Sequence, residues 1–232
     1  MRKRDKEIIA ALERFKCLTR DQIATLFFSH CKKPHTNANF VLKRLRRDGY
    51  ITANTDKSFH QYIYFPNPST VKKNSQKVDH YLLIAQIYID MMKYDVVKQY
   101  EIEPSIDDFI PDAFTRWKGS RWFIEAQNSL YTAKQTEQKL KKYLEWYESG
   151  EWKGSRFVNS NKPIFPHVLI VGKVNKKVDV KEYPFRIAQV ESIDEFMKQV
   201  EHDGNTAQKQ TQQAQKIKLE STNGVLQYDF FK

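Results

Sequence analysis

Three amphipathic stretches followed by a pair of apolar runs fill residues 5–66, and this succession constrains the fold more than any other feature. "DKEIIAALERF" (5–15) sets Ile8, Ile9, Leu12 and Phe15 on one helical face. "LTRDQIATLFF" (18–28) offers Thr19 as N-cap with Gln22 three residues on, a capping-box pattern, ahead of an Ile23, Leu26, Phe27 stripe. A third helix, expected to begin near Thr36, carries Ala38, Val41, Leu42 and Leu45 at i, i+3, i+4, i+7 and stops at Gly49. "YITANTDKSFHQYIYFP" (50–66) then reads as two strands around the polar tip "NTDKS". Three helices and a hairpin are the order of a winged helix-turn-helix, expected over residues 1–70.

Charge agrees with that reading. Residues 1–77 hold 17 Lys or Arg against 6 Asp or Glu, whereas residues 78–232 hold 22 of each. The net charge of +11 therefore sits in the first third of the chain. A localised positive field is what binding to a phosphate backbone requires. The third helix of such a fold enters the major groove of double-stranded DNA. With its apolar stripe assigned to the core, Thr36, Asn37, Asn39, Phe40, Lys43, Arg44 and Arg47 are expected outside. Thr, Asn and Arg can read base edges, and Lys and Arg can hold phosphate. Lys57 and His60 belong on or beside the wing. The competing reading is a winged helix that contacts protein, with its basic residues merely solvated.

Residues 67–77 are polar and include Pro68, so 71–77 is expected to be a linker. Over 78–200 the pattern is an apolar helix, three short strands, a long amphipathic helix, two strands and a helix. That order predicts an α/β domain around a mixed sheet, and with the first domain a multi-domain α/β chain. Residues 201–232 begin Gln-rich and low in apolar anchors, a partly disordered tail, and end in "GVLQYDFFK", a candidate edge strand. No apolar run approaches the ~20 residues of a membrane span. The expectation is a soluble, cytoplasmic protein without a membrane partner. Cys17 and Cys31 are expected to be free thiols, since two cysteines without a knuckle spacing suggest neither a disulfide framework nor zinc.

"FIPDAFTRWKGSRWFIEAQNS" (109–129) sets Asp112 and Glu125 on either side of a turn-like segment. The second domain thereby resembles the PD-(D/E)XK nuclease superfamily, with Pro111–Asp112 as its first motif and Glu125–Gln127 as its second. That resemblance implies Mg²⁺ held by Asp112 and Glu125, with a Lys at the position taken here by Gln127. Gln can neither act as a base nor carry charge. The site Asp112, Glu125, Gln127 is therefore expected to be degenerate, without a cofactor, unless Lys134 or Lys141 of the next helix stands in. The alternatives are an active Mg²⁺-dependent endonuclease or nickase, and a structural role in which Asp112 caps a turn and Glu125 pairs with Arg121 or a Lys of the sheet. From residue 5 to about 173 the chain resembles the replication-relaxation family of bacterial plasmids and mobile elements. "TRDQIATLFF", "LKRLRRDGYI", "PDAF", "WFIEAQNS", "KLKKYLEWY" and "FPHVLIVG" carry that resemblance, in that order. It implies a role in plasmid replication and DNA relaxation. The expected function is accordingly DNA binding in replication, relaxation or transfer or its regulation, with a second copy or a replication or transfer protein as further partner.

Overall fold

The computed structural model describes residues 1–55, 61–106, 109–174 and 178–202. Residues 1–193 form one compact unit. Residues 194–232 form another, whose described part, 194–202, is helical. The candidate edge strand and nearly all of the Gln-rich tail lie outside the described residues.

The first unit opens with α1 (Lys3–Phe15), β1 (Leu18–Thr19), α2 (Arg20–Phe28), α3 (Pro34–Arg47), β2 (Ile51–Asn54) and β3 (Ile63–Pro66). The expected cap of α2 is present. Thr19 Oγ1 accepts the Gln22 N–H at 3.1 Å, and Gln22 Oε1 accepts the Thr19 N–H at 3.0 Å. α3 starts at Pro34, two residues before Thr36. A fixed φ and a missing N–H both suit a first helical turn. After α3, Gly49 takes φ +78°, a left-handed conformation that glycine adopts without the strain a Cβ would bring. β1 had no counterpart in the sequence reading, because two residues show no periodicity. It pairs antiparallel with β3, which pairs antiparallel with β2, in the order β1-β3-β2. Ile8, Leu12, Phe15, Ile23, Phe28, Ala38, Leu42 and Leu45 are buried among these elements.

α4 (Lys77–Met92) explains why its sequence is apolar around most of its circumference. It packs against α1, α2 and β1 on one side and against β6 (Ser120–Gln127) on another. Polar ties reinforce this junction. Gln22 Nε2 donates to Leu82 O at 2.9 Å, and the Arg14 guanidinium donates to Tyr100 O at 2.6 and 3.1 Å.

The second sheet comprises β4 (Lys98–Ile102), β5 (Ala113–Trp117), β6, β7 (His167–Gly172) and β8 (Ile187–Val190), in that spatial order. β4, β5 and β6 are antiparallel neighbours, while β6, β7 and β8 run parallel. The sheet is mixed, as the α-β-β-β-α-β-β pattern predicts. Lys118 and Gly119, both at positive φ, form the two-residue turn between β5 and β6. α5 (Ala133–Ser149) covers one face of the sheet, where Leu140, Tyr143 and Trp146 pack with Phe114, Phe123 and Phe157. On the other face the Trp117 indole N–H reaches Met91 O of α4 at 3.1 Å. Glycine is required at the end of β7, since a Cβ on Gly172 would lie 2.2 Å from Gln127 O.

Candidate functional site

Asp112 stands one residue before β5, and Glu125 lies in central strand β6. Register brings them together, because Ala113 pairs with Ile124 and the Ala126 N–H donates to Asp112 Oδ2 at 2.7 Å. Alternation places Phe123, Glu125 and Gln127 on the face covered by α5. From that helix the Lys139 ammonium contacts Glu125 Oε2 and lies 3.2 Å from Asp112 Oδ2. One turn on, the Tyr143 hydroxyl donates to Glu125 Oε1. From α4, His80 Nε2 lies 3.2 Å from Asp112 Oδ1. An ionised carboxylate only accepts, so this nitrogen carries the proton.

The two carboxyls differ in electrostatics. Burial pushes Asp112 up, but the His80 hydrogen bond, the Lys139 charge and the Ala126 N–H outweigh it and hold the group at about 2. Glu125 is more deeply buried, and that burial raises it to about 8 despite the Lys139 ammonium, with Asp112 pushing the same way. Lys139 is itself held above the ordinary lysine value: burial lowers it, and the two carboxylates more than compensate. The Lys139 ammonium thus faces both acids, and burial opposes the charge of Glu125 more strongly than that of Asp112.

This arrangement does not fit a divalent cation. Each of the four carboxylate oxygens already meets a protein donor, and the Lys139 ammonium lies between the two acids. Among the described residues no group of three or more His, Cys, Asp or Glu has a metal-binding arrangement. Mg²⁺ would need both carboxylates ionised and oxygen ligands free. Gln127 is buried, and its Oε1 has no hydrogen-bond partner among the described residues. The Lys that meets the carboxylates is neither Lys134 nor Lys141, both exposed, the latter beside Glu145 at 3.6 Å. Glu125 pairs across to α5, not to Arg121. Phe109, Ile110, Glu125, Gln138, Lys139 and Lys142 line an open cleft of about 240 Å³.

On α3, Thr36, Asn39, Phe40, Lys43 and Arg47 are exposed, Phe40 to 71%, and Asn37 is half-buried. Arg47 lies 2.8 Å from neighbouring Asp48 yet stays largely in solvent. Arg44 departs from the outward expectation. Its guanidinium turns inward to the buried Asp5 carboxylate of α1 at 2.6 Å, because an acid in that position needs a partner. Arg46 is exposed in its place. Lys57 and His60 lie outside the described residues.

His80, Lys139 and Tyr143 are the site members that sequence reasoning missed. One signal was available: Thr136, Lys139, Tyr143 and Trp146 recur at helical spacing, which puts a lysine on the buried face of α5. The comparison with protein families bears on this region. Residues 66–160 match the replication-relaxation family. The match takes in α4, β5, β6 and α5, the elements or flanks that supply His80, Asp112, Glu125 and Lys139. No curated protein matches the chain. No described helix is long and apolar enough to cross a membrane.

Proposed function

We propose that this is a DNA-binding protein of a plasmid or other mobile element, acting in replication, relaxation or transfer. In this reading the first six elements are a winged helix that docks α3 in the major groove. The rest is a nuclease-like frame without hydrolytic activity. One observation carries the DNA-binding part: α3 presents Thr36, Asn39, Phe40, Lys43, Arg46 and Arg47 to solvent with no acidic residue among them. Asn39 can pair with an adenine edge, Phe40 can touch a thymine methyl, and the cations can hold phosphate. The β1-β3-β2 sheet supports the winged-helix reading, and the family match at 66–160 supports the mobile-element setting. The closed Asp112–Lys139–Glu125 cluster supports the absence of hydrolysis.

The test uses the full chain, since α4 completes the core around α1 and α2 and residues 1–70 alone would lose it. Preferred duplexes selected from a random pool should bind with an affinity that falls steeply with salt. Lys43→Ala and Arg47→Ala should each lower the salt slope by about one unit. Unchanged binding in both variants would refute the α3 reading. Mg²⁺- or Mn²⁺-dependent nicking of supercoiled plasmid, abolished by Asp112→Asn and Glu125→Gln alike, would refute the inactive-frame reading.

A further inference from the structure

A second cationic cluster lies toward the opposite end of β6 from Glu125. Arg121 stands at the start of β6, His167 opens β7, and Arg186 immediately precedes β8. Because these strands are parallel, their starts align: Trp122 pairs with His167, and Val168 with Ile187. Arg121, His167 and Arg186, together with Ser120 and Phe165, line a cavity of about 310 Å³. Arg121 and Glu125 are four positions apart, about 13 Å along a strand.

The charges at this cavity are uncompensated. Arg116 lies directly opposite Arg121 across the β5–β6 ladder, a like-charge pair that costs stability when nothing neutralises it. Among the described residues the arginines in ion pairs are Arg20, Arg44, Arg47 and Arg156, so Arg116, Arg121 and Arg186 have no acidic partner there. His167 Nδ1 is buried and meets no hydrogen-bond partner among them, while its ring rests against Trp122 at 4.8 Å. Burial, with Arg186 adding to it, lowers the His167 imidazole below its ordinary value. Burial and then Arg116 lower Arg121. Two guanidiniums line this one concave site beside the His167 ring, and guanidiniums are the donors best suited to a tetrahedral oxyanion.

We propose that the Arg121–His167–Arg186 cavity binds a phosphate group. The group is a backbone phosphodiester, a 5′-terminal phosphate or free inorganic phosphate, which present the same oxygens to these donors. The proposal is independent of the α3 interface, which lies on other elements.

The test follows the His167 ring signals of the full-length protein by NMR, with histidines isotopically labelled. Inorganic phosphate is titrated at constant ionic strength against chloride. The signals should move saturably. Arg186→Gln, at an exposed position, should weaken the apparent affinity about tenfold, and Arg121→Gln/Arg186→Gln should abolish the response while the other histidine signals hold their positions. A response that never saturates, or that both variants retain, overturns the proposal, as does no response at all. Duplexes with 5′-hydroxyl or 5′-phosphate ends then name the source. Movement with both means the backbone, movement with the phosphorylated duplex alone means the terminus, and movement with neither leaves free phosphate. All three rest on the saturable phosphate response. Loss of duplex affinity in Lys43→Ala with the His167 response intact separates this site from α3.

Discussion

Replacing Lys139 by Met tests whether the cluster under α5 is closed by its own ammonium. The substitution keeps the aliphatic stem and removes the charge shared by Asp112 and Glu125. At 3.2 Å from Asp112, one unit charge is worth about 5 kcal/mol at an effective dielectric of about 20. Removing it also returns the cost of desolvating a side chain that is 32% exposed. Asp112 keeps His80 and the Ala126 N–H, and Glu125 keeps the Tyr143 hydroxyl. The net loss at about pH 6 should then be ~2–3 kcal/mol, below the ~3–5 typical of breaking a fully buried pair.

The sign of the pH dependence follows from Glu125. Its folded-state value of about 8 lies above the ordinary 4.5, so the stability it contributes is present below about 4.5 and lost as pH rises toward 8. Above that the wild type loses no more through this group. Without the ammonium Glu125 titrates higher still, so the variant goes on losing about 1.4 kcal/mol per pH unit. The penalty of Lys139→Met should therefore grow between about pH 6 and about pH 9. Urea unfolding at both pH values, read by the midpoint at unchanged slope, measures it. Adding Glu125→Gln should remove the growth and leave the Asp112 part. A penalty under about 1 kcal/mol that is flat in pH would show that the ammonium belongs to solvent, and the closed-site reasoning would fail.

Other outcomes follow from the same contacts. Asp112 is held at about 2 against an ordinary 3.8, so it contributes ~2 kcal/mol above about pH 4 that is lost as pH falls toward 2. Asp112→Asn should flatten that acid limb in urea titrations, and a limb of unchanged depth would contradict it. Gln127→Lys would bury a second ammonium at a small cavity that Lys139 also lines, and should cost at least about 3 kcal/mol by thermal unfolding. A variant as stable as wild type would show that the cavity opens. Asn39→Ala should relax preference at one base position by about 1–3 kcal/mol in competition binding, and an unchanged preferred site would remove Asn39 from the readout. Thr19→Ala should cost ~1 kcal/mol through the cap of α2, and a loss of only a few tenths would mean that Gln22 alone secures that turn.

Legibility followed the range of each interaction. Helical stripes, the Thr19–Gln22 cap and the alternation through β6 are local, and the residues that form them are a few positions apart. Asp112 and Glu125 could be brought together from sequence because a two-residue turn fixes the register between them. His80 and Lys139 could not, for each reaches Asp112 from a helix about thirty positions away, and helix rotation decides which side chain arrives. Arg44 was misplaced for the same reason. On α3 alone it belongs to the polar face, and only the packing of α1 brings the buried Asp5 within reach.

Gln127 itself lies on the same face of β6 as Glu125, but its backbone is hemmed in by Gly172 and its side chain is fully enclosed. A lysine there would have to bury its whole stem as well as its charge. On α5 the ammonium can reach the carboxylates while about a third of the Lys139 side chain stays exposed, so less desolvation opposes it. The ammonium is therefore carried by α5, and it meets both acids directly. Under α5 the Lys139 ammonium meets both acids, whereas Lys43 and Arg46 on α3 are exposed. The exposed cations of α3 thus stay in solvent, while Asp112 and Glu125 are held by contacts within the fold.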